Sequence, residues 1–373
     1  MLRNRSLFAA ALAALVAFGL RLPFALAPGF GLDFDAWRLA STARGLAEEG
    51  VWRPSRAPGY PGVELAFALL WPLGPRALTV ATAGVAALAA AFGAAWLARA
   101  RPDLRAPWLL PAALTTLPAV AIPAASALDM PWSLAAVTAA GWRCQRRDAV
   151  GAGLAVGLAV WMRPASAVAV PALFVHLARA GSWRRAVVGS GAAVAVAALI
   201  TLAPDPPPIG LADSWPGPVI AWRVLVLNAL ASGGVAAILA LLVGAWLGRR
   251  RPKPGPDADA AFFALTFLGG AALYVLFPYE ANYLCVPLFV GGLALGARAV
   301  AATHWVAATA LVVGGLASFD GSELRAGPLR RDAWRRAEQE ARARATARSL
   351  EGTPESTWPD LGSDLAAVRY FVR

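Results

Sequence analysis

Cysteine and histidine are nearly missing from this chain of 373 residues, with two of each. Cys144, Cys285, His176 and His304 form no Cys/His cluster, so the sequence holds no structural zinc motif. The two cysteines end different apolar segments, at opposite membrane faces in the topology below, and that separation excludes a disulfide. Charge is scarce as well, at 15% of residues, where a soluble protein carries roughly 25%. Lysine is reduced to Lys253 alone. No Gly-rich phosphate loop is present, which leaves a nucleotide-linked ligand without a cradle. No basic patch is interleaved with aromatics, so the net charge of +12 does not point to nucleic acid. There is neither an internal repeat nor an inverted pair of broken helices.

What is present is apolar sequence. Hydrophobic residues make up 58% of the chain, the mean hydropathy is +0.57, and runs of membrane-spanning length recur from end to end. The runs lack the alternation of barrel strands, and lipid admits only helices or closed barrels. The expected fold class is therefore all-α, a polytopic helical membrane protein. Arginines collect between the runs, as the positive-inside rule requires.

Working outward from Arg3 and Arg5, the first span reads as an uncleaved helix, because Pro28 follows the signal-like "ALA" directly. The Arg99, Arg101, Arg105 cluster ends the span 76–98, leaving 28–75 as an external loop that contains an interfacial helix, "YPGVELAFALLWPLG". Residues 107–126 go out and 130–142 return. The segment 149–178 lies between two basic clusters and needs two short helices, broken at Pro164, with Arg163 at the outward tip. Spans 186–203, 220–248, 260–277, 283–299 and 302–317 complete roughly eleven crossings. This divides the chain into a transmembrane domain, 1–317, and a short external tail, 318–373. In that tail "LRRDAWRRAEQEARARATARSLE" reads as a surface helix of mixed charge.

Asp33 and Asp35 open the loop helix "DAWRLASTARGLAEEG", which ends at Gly50. Asp35 fits an N-cap, but a cap explains one aspartate and not two. Asp129, in "ALDMPWSL", stands at the outer end of an otherwise uncharged helix, where an ionisable group points to function or to a second cap. Glu280, in "FPYEANYLCVPL", and Arg163 share that external side. Arg21 is expected to snorkel to the interface, and Asp205 and Asp213 to stay solvated. Carboxylates and arginine at bilayer depth suit a lipid phosphate: arginine holds the phosphate, and a carboxylate deprotonates an acceptor hydroxyl.

These motifs resemble the GT-C superfamily of membrane glycosyltransferases, among them bacterial relatives of protein O-mannosyltransferases and lipid A sugar transferases. "DAWRLASTARGLAEEG" is similar to that superfamily's "DE" and "ARnLlegG" helix, with Asp35 on the first acid, Arg44 on the helix arginine and Ala36 in place of the second acid. "APGYPGVELAFALL" resembles "PPlYPlllal" (Pro58, Tyr60, Pro61), and "LDMPWSL" resembles "sDaplal" (Asp129). "GLAVWMRPAS" looks like "GLaLltRp" (Arg163), and "YEANYLCVPL" looks like "hErYllPl" (Glu280, Tyr283, Pro287). The motifs keep the superfamily's order across residues 20–300.

The resemblance implies a GT-C-like fold in a bacterial inner membrane, with the active site facing the periplasm. It implies inverting transfer from a polyprenyl-phosphate sugar, in which Asp35 is general base and Asp33 an auxiliary acid. Asp129, Arg163, Glu280, Tyr60, Arg56 and Tyr283 would bind the substrates. Metal dependence varies in the superfamily; if magnesium or manganese is used, Asp33, Asp35 and Asp129 are its expected ligands. Sugar and acceptor are open, whether lipid, glycan or protein. A lipid-linked oligosaccharide transporter and a polysaccharide polymerase or ligase are the competing readings. The first predicts a charged path to both faces, and the second a large late external loop.

Overall fold

The computed structural model describes residues 2–56, 59–180, 182–199, 235–248, 260–276, 281–320 and 323–372. In order the helices are α1 (Leu2–Ala25), α2 (Phe34–Arg44), α3 (Pro61–Leu70), α4 (Pro75–Ala100), α5 (Leu109–Leu114), α6 (Pro118–Ala124), α7 (Met130–Gln145) and α8 (Ala149–Met162). They continue as α9 (Ala169–Arg179), α10 (Trp183–Ala197), α11 (Val235–Gly248), α12 (Ala261–Leu276), α13 (Cys285–Gly296) and α14 (Ala301–Leu316). A two-stranded antiparallel hairpin, β1 (Ala317–Asp320) and β2 (Glu323–Ala326), leads into α15 (Pro328–Leu350) and α16 (Leu365–Val372). By length and composition, Asn4–Ala25 and Pro75–Ala100 are long and apolar enough to cross a bilayer, and several shorter apolar helices pack around them. Leucines and valines such as Leu7, Leu15, Leu88, Val194, Leu239 and Leu268 face outward along the bundle.

Small residues set how closely the helices approach. Ala9, Ala13 and Ala17, one turn apart on α1, are buried against Ala87, Ala90, Ala94 and Ala98 of α4. Gly153 of α8 touches α10 so closely that an added Cβ would lie 2.0 Å from the Gly189 carbonyl oxygen. No other residue type fits there.

Hydrogen bonds fix the direction of the bundle. Arg5 donates to the Pro102 and Leu104 carbonyls, Arg101 to the Ala299 carbonyl (2.6 Å) and Gln145 to the Trp96 carbonyl (3.1 Å). The start of α1 and the ends of α4 and α7 therefore lie together, along with the arginine clusters. Thr79, near the start of α4, donates to the Ala25 carbonyl (2.7 Å) at the opposite end.

Two expectations change. The outgoing span 107–126 is two short helices, because Pro118 forces Leu117 out of the helical region (ψ 131°). Arg21 does not snorkel. It is fully buried and donates to the Ala17 and Thr115 carbonyls, so its guanidinium satisfies an oxygen that the break at Thr115–Leu117 leaves without a helical partner.

The tail helix α15 is likewise more than a solvated surface. Leu329, Asp332, Arg336, Gln339, Ala343 and Ala347 form one buried face. Arg336, ion-paired to Asp332 at 2.9 Å, donates to the Ala125 (2.9 Å) and Phe24 (2.7 Å) carbonyls. Those bonds dock the tail at the end of the bundle remote from the arginine clusters. Cys144 and Cys285 are buried and unpaired with each other.

Candidate active site

At the start of α2 the two aspartates separate by role. Asp33 is the N-cap (φ −70°, ψ 132°), and its Oδ1 accepts from the Asp35 amide at 2.9 Å. Capping thus falls to Asp33 rather than Asp35. Burial, and then the nearby Asp35 carboxylate, push the Asp33 carboxyl above the ordinary aspartate range. Asp35, in the first turn, spends no oxygen on the backbone and points its carboxylate at Arg56, 2.6 Å away. Arg38 approaches it from one helical turn on, at 3.9 Å, while lying over the Phe34 ring.

Arg56 stands in the loop between α2 and α3. Beyond Asp35 it reaches Asp129 at 2.6 Å and lies over the Tyr60 ring, 3.9 Å from its centroid. Glu64, fully buried in the first turn of α3, holds this loop in place. It accepts from the Ser55 amide (2.8 Å), the Ser55 hydroxyl (2.6 Å) and the Trp52 indole (2.8 Å). Thr42 adds a bond to the Arg53 carbonyl (2.7 Å). Replacing Glu64 with leucine strands these three donors, at about 1–3 kcal/mol each if unpaired. The expected result is lower thermal stability together with protease sensitivity confined to residues 51–60; cleavage elsewhere would contradict it.

Asp129 occupies the N-cap position of α7 but caps nothing. Both its oxygens are taken by guanidinium groups, Oδ1 by Arg56 and Oδ2 by Arg163 at 2.5 Å. It is fully buried, and Arg163 nearly so. Pro164 forces Arg163 into an extended conformation (φ −152°, ψ 109°), which ends α8 there. Two short helices do meet at the arginine, as its sequence context predicts. The Arg163 guanidinium also lies over the Tyr283 ring at 4.7 Å.

The result is a chain of alternating charge, Asp35–Arg56–Asp129–Arg163, half-buried at its first two members and buried at the last two, assembled from the α2 start, the following loop, the α7 start and the α8 end. Of the candidate residues, the structure brings together Asp33, Asp35, Arg56, Tyr60, Asp129, Arg163 and Tyr283. Glu280, Asp205 and Asp213 lie outside the described residues. Glu64, an acid inside an apolar run, was a signal the motif reading passed over. Asp129 has no oxygen left for a divalent cation, since both are in guanidinium pairs, and one oxygen of Asp35 is held by Arg56. Among the described residues no three acidic, histidine or cysteine side chains converge as metal ligands.

One cavity touches the chain of charge at Arg163, and another lies against α2 at Trp37. A small apolar crevice of about 20 Å³ lies beside Arg163, lined by Met130, Val137, Val168, Leu273 and Val286. A larger cavity of about 420 Å³ lies between the first loop and the tail, walled by Phe30, Trp37, Tyr370 and Phe371, with Arg76 and Arg344 at its edge. Trp37 meets Tyr370 and Phe371 edge-on at 5.5 and 5.6 Å, and Arg44 donates to the Tyr370 carbonyl at 3.2 Å.

A scan against protein-family models finds no match, and no curated protein is similar in sequence. Among solved structures, the chain is similar to ArnT from Cupriavidus metallidurans bound to undecaprenyl phosphate. The TM-score is 0.53 at 17% identity, over 98% of this chain and 74% of that one. At that identity the likeness is one of fold alone: a nearly all-helical bundle arranged like that neighbour's.

Proposed function

We propose that this protein is a membrane glycosyltransferase that moves a sugar from a polyprenyl phosphate to an acceptor hydroxyl. The observation that carries this reading is the Asp35–Arg56–Asp129–Arg163 chain, which sets two arginines and a carboxylate side by side at the end of an apolar bundle. A polyprenyl phosphate has the matching parts, a long apolar tail for the bilayer and an anion for the arginines. The fold neighbour was crystallised with such a lipid.

In the transfer, the acceptor oxygen attacks the anomeric carbon from the face opposite the phosphate. The bond from that carbon to the phosphate oxygen breaks, and the phosphate leaves with the electron pair, inverting the centre. Asp35 takes the hydroxyl proton. Arg163 and Arg56 stabilise the charge that builds on the departing phosphate. Arg56 has a second part to play. A phosphate drawn onto its guanidinium competes with Asp35 for it, so donor binding frees the carboxylate to accept the proton. The arginine clusters mark the cytoplasmic end, so the reaction occurs at the external face of the inner membrane.

The test is a panel of polyprenyl-phosphate sugars supplied to the purified protein in lipid nanodiscs with candidate acceptors. The expected result is sugar transfer with release of polyprenyl phosphate. Movement of intact donor across a vesicle bilayer with no phosphate released would replace the transferase by a transporter.

A further inference from the structure

The helix that carries Asp35 is braced by the tail. α2 packs mainly between α3 and the tail helix α16, and the brace runs through Trp37, two residues after the proposed base. At about 100° of rotation per residue, the two side chains leave α2 on opposite faces. Asp35 points at Arg56, 2.6 Å away, while Trp37, only 1% exposed, sits in a socket built largely by the tail.

The socket fixes the indole in angle as well as in depth. The indole N–H is shared between the Gly31 carbonyl (2.9 Å) and Gln339 Oε1 of α15 (3.3 Å). Asp364 Oδ1 accepts from the Gln339 amide nitrogen at 3.2 Å, which turns the amide oxygen toward the indole. Tyr370 and Phe371 of α16 meet the ring edge-on, with centroids 5.5 and 5.6 Å away, and Phe30 does so at 5.0 Å. Edge-on aromatic pairs are directional contacts.

The same tail reaches both ends of α2. Arg44, in its last turn, donates to the Tyr370 carbonyl at 3.2 Å. Ahead of its start, the Phe30 carbonyl accepts from the Ala127 amide at 2.6 Å, and Arg336 of α15 donates to the Ala125 carbonyl at 2.9 Å. A turn of α2 about its axis would swing Trp37 and Asp35 together, and the tail resists it. Proton transfer needs the carboxylate within hydrogen-bond reach of the hydroxyl. A misplacement of about 1 Å can cost roughly 10²-fold in rate.

We propose, on the reading of Asp35 as the base, that Gln339, Tyr370 and Phe371 are positioning residues for the transfer. They hold Trp37, and through α2 they aim the Asp35 carboxylate at the acceptor hydroxyl. The tail then serves the chemical step.

The experiment measures single-turnover transfer and donor affinity side by side, with the full-length protein in nanodiscs and the most active polyprenyl-phosphate sugar of the panel as donor. Tyr370→Ala should slow transfer by about 10–100-fold and leave donor affinity unchanged. Tyr370→Phe keeps the ring and should restore the parental rate. Gln339→Met strips one bond from the indole and should slow transfer less than Tyr370→Ala does. Trp334→Ala, on the outer face of α15 at 70% exposure, should transfer as the parent does. The deciding measurement repeats Tyr370→Ala in the Asp35→Asn background, where no base remains to be aimed. There the second substitution should slow transfer no further. An equal further loss in both backgrounds would make the tail a support of the fold only and overturn the proposal. Parental rates in both Tyr370→Ala and Gln339→Met would overturn it too, as would a loss of donor affinity in place of rate. Parental transfer by Asp35→Asn alone is a separate outcome, which overturns the reading of the base itself.

Discussion

Asp35→Asn is expected to slow sugar transfer by about 10²–10⁴-fold, the usual contribution of a positioned base. The amide keeps the volume of the carboxylate but cannot take the acceptor proton. Arg56 retains Asp129 as a counter-charge at 2.6 Å, so the fold and the affinity for the lipid donor should survive. The informative comparison is Asp33→Asn. Asparagine caps a helix about as well as aspartate, and the structure gives Asp33 a cap. That variant should therefore keep transfer within a few-fold of the parent. The two are separated by single-turnover rates with donor binding measured in parallel. Should Asp35→Asn transfer sugar at the parental rate, another group accepts the proton. Should Asp33→Asn be the slower of the two, the roles are reversed.

Asp129→Leu is expected to cost the protein about 3–5 kcal/mol, the penalty for leaving buried charge without its partner. Two guanidinium groups pair with this one carboxylate, which is completely shielded from solvent. In detergent, the thermal midpoint should fall by several degrees. Adding Arg163→Met to Asp129→Leu should restore part of the loss, because one stranded charge is removed along with its partner. A single variant that melts with the parent would mean water reaches both arginines. A double variant less stable than the single one would mean that Arg163 stabilises the fold through contacts other than Asp129.

Much of this molecule is legible one turn at a time. Pro164 dictates an extended residue before it, so the sequence alone places Arg163 at a helix break and hence at a tip. Arginine clusters between apolar runs assign the ends of the helices, and in the structure Arg5 and Arg101 meet at one end. The helix following Asp33–Asp35 is signalled by its cap and its terminal glycine. Which aspartate caps was not legible, since both fit the pattern and the choice is made by a single hydrogen bond to the Asp35 amide.

Long-range partners account for the remainder. Arg21 looked like an interfacial arginine because nothing near it in the chain needs a donor. The carbonyl it serves, at Thr115, is set free by a proline almost a hundred positions later. The tail helix reads as solvated because its charges alternate in sign, yet Arg336 is drawn inward to carbonyls at the end of α1 and beyond α6, with Asp332 as its ion-pair partner. Glu64 was overlooked for a similar reason: its three donors come from the preceding loop, whose path no local rule predicts.

By itself, then, the sequence determined the helical membrane class, the breaks at prolines and the gathering of cations at one end. Hydrophobic length, missing amide hydrogens and the cost of burying charge act locally and leave little choice. Only the tertiary structure decided that Asp35, Arg56, Asp129 and Arg163 form one chain of alternating charge. Those residues come from four separate segments, and what pairs them is the requirement that each charge taken from water meet its opposite. That requirement can be met only after the helices have packed.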